Sequence, residues 1–235
     1  MARVVNEAAN AAKRTAILDA AQRAIATKGY EQMAIADLLS ELQMSSGAFY
    51  HYFDSKPALL SALVERIGSQ IEPLVLPIVH DPALGAIEKL QSFFAKLDQF
   101  KIAHKSFMVA YWHVWYGDEN AIVRHKLYMA RVKRITPWLA AIIRQGAEEG
   151  VFTTSYPEQM ARASMALLED LGYATAELLF AEERLPDTLS RLERIVIATA
   201  DALERLLGAP AECLQRAARE GLSEWVVPFS LNQEE

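Results

Sequence analysis

Residues 34–60, AIADLLSELQMSSGAFYHYFDSKPALL, decide how the rest of the chain is read. Leu38, Leu39 and Leu42 fall on one helical face, and the pattern breaks at Gln43-Met44. Ser45 is a good N-cap and opens a second short helix, about Ser46 to Phe53. Phe49 and Phe53, four residues apart, share one face of it. Ser46, Gly47, Ala48, Tyr50 and His51 then point largely away from the core. An outward face that is small or hydroxylated suits a DNA major groove. Gly47 lets backbones approach, Ala48 can touch a thymine methyl, and Ser46 or His51 can bond base edges or phosphate. Asp54 or Ser55 caps a third helix with Pro57 in its first turn, where the missing N–H costs nothing. Lys56 sits at that helix start, placed for a phosphate. Periodicity alone also fits an ordinary helical hairpin, with Tyr50, His51 and Tyr52 as amphipathic surface residues.

The order of residues in SSGAFYHYFDSKPALL resembles the recognition-helix signature of TetR-type transcriptional regulators: a small residue, Gly, a variable pair, Tyr, an aromatic or His, Phe, then Ser-Lys opening the next helix. RTAILDAAQRAIATKGY, residues 14–30, resembles that family's first helix with its closing Gly-Tyr. The likeness is specific over about residues 13–65 and architectural beyond. Three departures stand out: Ala34 where the family usually caps the second helix with Thr or Ser, Leu39 where it often has Ala, and Gln43 where the turn usually has Gly. The first removes a phosphate contact; the others adjust packing and turn angle. The resemblance implies DNA contacts from Lys13, Arg14, Ser45, Ser46, Gly47, Ala48, Tyr50, His51 and Lys56.

Composition bounds the remainder. With 235 residues the chain is long enough for a substantial core, and 52% hydrophobic residues exclude a disordered protein. The formal charge of -6 argues against a generally adhesive nucleic-acid binder. The acidity lies outside the head, since residues 1–56 hold six Lys/Arg and six Asp/Glu. A neutral head still binds DNA if its cations face the phosphates, with modest and salt-sensitive nonspecific affinity. Cys213 is alone, so no internal disulfide forms, and a reducing cytoplasm fits. No signal-like start and no long uncharged apolar run is present, which predicts a soluble, cytoplasmic protein away from membranes.

In chain order, residues 1–12 read as a frayed, thinly basic arm, of the kind that in the family lies along the DNA. The first helix runs to about Lys28 with Ile17, Ala21, Ala24 and Ile25 inward, and Gly29 supplies its C-cap. From Lys56 a helix continues to about Ile71, bridging the head (1–56) to a body (72–235). Pro73 and Pro77 predict a break, with the seam between 67 and 82. Asp81-Pro82 restarts helix, amphipathic from Leu84 to Phe100. HKSFMVAYWHVWY, residues 104–116, reads either as a helix buried on most sides or as the wall of a ligand cavity. On the second reading Phe107, Met108, Tyr111, Trp112, Trp115, Tyr128, Trp138, Met165, Glu169 and Tyr173 are the candidate effector pocket, where an inward carboxylate would favour cationic ligands. His104, His113 and His125, nine and twelve apart, share no ladder, so no metal site is expected. Residues 120–148 form a long helix with a basic first half, kinked at Pro137-Trp138.

Two more long helices, about 157–181 and 186–207, end at Gly208-Ala-Pro210. Their small and apolar faces, Ala161, Leu168, Gly172 and Ala176 in one and Leu192, Ile195, Thr199 and Leu203 in the other, pair across a two-fold axis or serve the subunit's own core. In TetR-like proteins the two main C-terminal helices pair in this way. A last helix around Leu214 and Leu222 is followed by Trp225.

The expectation is therefore an all-α homodimer, a three-helix helix-turn-helix head on a helical effector-binding and dimerisation body. It would bind double-stranded operator DNA as a repressor released by a small, largely apolar or aromatic effector, without cofactor. The rival is a helical carrier or enzyme using the aromatic segment 104–116. No GxSxG, HExxH, P-loop or dinucleotide fingerprint nominates a catalytic set.

Overall fold

The computed structural model describes residues 2–105, 108, 121–179, 187–215 and 218, and among these every regular element is helical. In order they are α1 (Ala2–Lys28), α2 (Ile35–Glu41), α3 (Ser46–Tyr50), α4 (Lys56–His80), α5 (Ala86–Ala103), α6 (Ala121–Glu148), α7 (Pro157–Leu179) and α8 (Thr188–Leu207). Two compact units emerge: residues 1–69 with 104–127, and residues 70–103 with 128–235.

In the first unit, α1 begins at Ala2, so the expected frayed arm is helical. Its Ala-rich sequence, NEAANAA, has the high intrinsic propensity that carries a helix without tertiary support. Gly29, at φ +81°, ends it, its N–H donating to the Ile25 carbonyl at 3.0 Å. Ile17, Leu18, Ala21, Ile25, Leu38, Phe49, Phe53, Leu59 and Leu63 are buried, whereas Ala24, expected inward, is half-buried. Each large side chain contributes about 1.5–3 kcal/mol on burial. These groups, not the surface charges, hold the helices together.

Pro73 and Pro77 do not break the chain: both lie inside α4. Four residues apart, they occupy one face, and both are exposed while Val75 and Val79 are buried. A proline inside a helix frees the carbonyl four residues back. Here that happens on the wet side, where water can replace the bond.

The second unit's core gathers Val75, Val79, Leu90, Phe93, Leu139, Ile142, Ile143, Phe152, Met165 and Leu207, with Trp138 and Tyr128 packed against it. Turn chemistry starts α5 at Ala86, later than Leu84: the Asp81 carboxylate accepts from the Ala83 N–H at 2.9 Å, and the Glu149 carboxylate accepts from the Ala86 N–H at 2.9 Å. Pro137 sits within a continuous α6. At the end of α6, a Cβ on Gly146 would overlap the Phe152 ring. The Gly146 carbonyl accepts from both Val151 and Phe152 at 2.9 Å. Gly208, at φ +62°, caps α8 beside Thr153, whose N–H reaches the Leu207 carbonyl at 3.0 Å.

Among the described residues two charged side chains are buried in this unit, and both are hydrogen-bonded. Lys89 donates to the Val79 carbonyl at 2.9 Å and to Gln145 Oε1 at 2.7 Å. Glu204 accepts from the N–H groups of Glu212 (3.0 Å), Leu214 (2.7 Å) and Gln215 (3.3 Å) and from Gln215 Nε2 at 3.0 Å.

Candidate nucleic-acid interface

The turn that presents α3 is built from one left-handed residue. Gln43 has φ +49°, where a Cβ is disfavoured, and the Met44 N–H returns to the Leu39 carbonyl at 2.9 Å. Ser45 then caps α3, its Oγ accepting from the Ala48 N–H at 3.3 Å. The helix closes at Tyr50, three residues sooner than the expected Phe53, with His51 as C-cap. Phe53 is nonetheless buried, its ring 5.9 Å from that of Phe49.

With Phe49 at 1% exposure as the anchor, the opposite side is open. Ser45, Ser46, Gly47, Tyr50 and His51 are exposed and Ala48 is half-buried. A Cβ added at Gly47 would meet nothing within 4 Å. No internal contact requires glycine there, so its use points outward. Tyr50, 49% exposed, stands edge-on to Phe49 at 5.5 Å, which limits where its hydroxyl can go.

The cations around α3 differ in freedom. Lys13 is exposed. Arg14 lies over the Phe53 ring at 5.2 Å, a contact that orients the guanidinium beside the end of α3. Lys56 donates to the Glu31 carbonyl at 3.2 Å and sits 4.4 Å from the centre of the Tyr30 ring. Burial, with Glu31 nearby, pushes the Tyr30 hydroxyl up to about 12, so it stays protonated and neutral. Ser55 caps α4 by accepting from the Ala58 N–H at 3.1 Å.

Several features of the head left no local trace in the sequence. Arg23 pairs with Glu41 at 2.6 Å and Lys28 with Asp37 at 3.1 Å, both joining α1 to α2. Arg66 of α4 reaches Asp19 at 2.6 Å, the Leu18 carbonyl at 3.3 Å and Gln22, clamping α4 to α1. Partners 9 to 48 residues apart have no period to betray them.

The expected pocket residues fall in different places. Phe107, Tyr111, Trp112 and Trp115 lie outside the described residues. Met108 is buried and groups with the first unit. Met165, Tyr128 and Trp138 belong to the core of the second. Glu169 is paired with Arg131 and so is not an unbalanced negative charge; Tyr173 is half-buried. Of the expected dimer residues, Ala161, Ala176, Leu192 and Leu203 are buried within the chain itself, whereas Leu168, Gly172, Ile195 and Thr199 keep partial exposure. Among the described residues no helix is long and apolar enough to cross a membrane.

Comparison with known proteins matches two stretches of the chain. The profile of bacterial regulatory proteins of the tetR family matches residues 17–63, and that of the tetracyclin repressor-like C-terminal domain matches residues 115–184. The HTH-type transcriptional repressor DhaR of Mycobacterium sp. (strain GP1) is 22% identical over 123 residues, 52% of this chain and 61% of that protein. The HTH-type transcriptional regulator BetI of Escherichia coli is 26% identical over 144 residues, 58% of this chain and 73% of BetI. The crystal structure of a TetR-family transcriptional regulator from Pectobacterium atrosepticum superposes with a TM-score of 0.65 at 20% identity, covering 86% of this chain and 98% of that one. A shared helix-turn-helix segment, a shared C-terminal domain and a shared helical fold converge, and the chain belongs to the TetR family of bacterial regulatory proteins.

Proposed function

We propose that the protein is a DNA-binding transcriptional regulator, a homodimeric repressor that leaves its operator when a small, largely apolar or aromatic effector binds the helical body. The carrying observation is the two-sidedness of α3: Phe49 is buried while Ser46, Gly47, Tyr50 and His51 are exposed to solvent. The repressor named among its relatives supports the direction of control.

In this reading each subunit sets α3 into one major groove. Ser46 and His51 offer hydrogen bonds to base edges, and Ala48 offers a methyl to a thymine. Gly47 permits close approach, while Tyr50, Lys13, Arg14 and Lys56 fix register on the phosphates. Two heads related by a two-fold axis match a near-palindrome whose half-sites lie about one helical turn, roughly 34 Å, apart. The half-exposed residues Leu168, Gly172, Ile195 and Thr199 on α7 and α8 supply the seam between subunits. An effector releases DNA only through different affinity for the two states of the body.

The test is duplex binding by the full chain, using sequences enriched from a random pool, beside a Tyr50→Ala, Lys56→Ala variant. Enrichment of one near-palindrome, lost in the variant, is the expected result. Wild-type affinity in the variant would remove these contacts, and no enrichment at all would remove the regulator reading.

A further inference from the structure

The head has few uncommitted positive side chains. Residues 1–69 contain seven Lys or Arg. Arg23 is held by Glu41, Lys28 by Asp37 and Arg66 by Asp19. The first two pairs are well exposed, so their cations remain within physical reach of DNA. Each nevertheless carries its own anion. Exposed charges act over about 8 Å at physiological ionic strength, so a phosphate approaching either pair meets a near-neutral dipole. The Arg3 side chain lies outside those described, and Lys13, Arg14 and Lys56 remain: the first exposed, the second against an aromatic ring, the third with N–H groups to spare after bonding the Glu31 carbonyl. The outward residues of 45–51 are Ser, Ser, Gly, Ala, Tyr and His, with no fixed charge among them.

We propose that this head reads DNA mainly through uncharged contacts and holds it with three side-chain cations per subunit, Lys13, Arg14 and Lys56, while the Arg23–Glu41 and Lys28–Asp37 pairs suppress affinity for DNA of other sequences. The proposal rests on the DNA-binding reading above. Nonspecific affinity is almost wholly electrostatic, and each neutralised phosphate adds about −0.9 to the slope of log K against log salt. Six cations in a dimer set that slope at about −5. Specificity here comes from weak binding elsewhere on the genome as much as from tight binding at the site.

The test measures anisotropy of the full-length protein on a duplex enriched from a random pool and on a scrambled duplex, from about 50 to about 300 mM KCl. A slope near −5 or shallower on the enriched duplex is expected, with much weaker binding to the scrambled one. A slope steeper than about −8 overturns the cation-poor interface. An Asp37→Asn, Glu41→Gln variant frees Lys28 and Arg23 while keeping its fold, because surface ion pairs contribute little to stability. It is expected to steepen the slope by about 3.6, four more cations per dimer, and to bind the scrambled duplex about tenfold more tightly at low salt. Unchanged slope and unchanged scrambled-duplex affinity in that variant overturn the suppressing role of the pairs. If no duplex binds at all, the regulator reading falls together with this one; a steep slope on a bound duplex removes this one alone.

Discussion

The two units differ in the charge they bury. In the first, the α1–α2 pairs Arg23–Glu41 and Lys28–Asp37 lie on the surface, more than 45% exposed on both sides. In the second, Lys89 and Glu204 are 4% and 2% exposed and bond backbone groups at helix ends and turns together with the Gln145 and Gln215 side chains. An exposed pair contributes about 0.2–1 kcal/mol, and breaking a buried, hydrogen-bonded charge site costs about 3–5 kcal/mol. The α1–α2 pairs of the head therefore add little to its fold, whereas the buried charges of the body fix how its chain turns. Substitutions should separate the two.

The largest effect is expected at Glu204. Glu204→Ala leaves three backbone N–H groups of residues 212–215 without their acceptor and should lower stability by about 3–5 kcal/mol in thermal or urea unfolding. A loss below about 1 kcal/mol would mean that the segment after α8 is not stapled by this carboxylate. The counterpart in the head is Gly47→Glu. Its Cβ enters open space, so the melting temperature should hold, while DNA affinity should fall by about 100-fold or more from bulk and negative charge against the groove. Unaltered affinity would place Gly47 away from the DNA. Next comes Gly146→Ala, which forces a methyl into the Phe152 ring and should cost about 1–3 kcal/mol with no direct effect on DNA contacts.

Which of these distinctions could be read from the sequence follows from distance along the chain. The Phe49/Phe53 spacing, the Ser45 and Ser55 caps and the Gly29 and Gly208 stops are local signals, and the head and the helix ends follow from them. Pro73 and Pro77 misled because a proline's cost depends on whether the freed carbonyl faces water, which is fixed by packing at Val75 and Val79. Glu204 carries no local signal of its role, since its partners belong to a turn with no pattern of its own. The Arg131–Glu169 pair, which balances a carboxylate that suggested a cationic ligand, joins α6 to α7 across 38 residues.

Acid should weaken the body through its helix-end carboxylates. The Glu149 carboxyl is held below its ordinary value first by the Ala86 N–H, then by Gln145, with Lys89 nearby. Glu158 and Asp187 are lowered chiefly by Arg144 and Arg191. A depressed folded-state value means the contribution is complete above the unfolded-state value and is lost as pH falls through the folded one. Melting temperature followed from about pH 6 to about pH 3 should therefore fall, and the gap between wild type and Glu149→Gln should narrow toward the acid end. A gap independent of pH would mean that Glu149 acts by shape rather than charge.

The smallest expected effect lies at the hinge of the comparison, the turn before α3. Gln43 holds φ +49°, a conformation that costs a residue with a Cβ about 1–2 kcal/mol. Glycine would relieve that strain and give back roughly 0.5–1 kcal/mol through the freedom of the unfolded chain. Gln43→Gly should thus stabilise the head by at most about 1.5 kcal/mol. Because the Met44 N–H to Leu39 carbonyl bond is backbone-made, it survives the change, and α3 keeps its direction. The measurement is paired: a small rise in melting temperature together with unchanged DNA affinity. A rise accompanied by weaker binding would show that the strained turn, rather than α3 alone, sets the angle at which the outward residues 45–51 are offered.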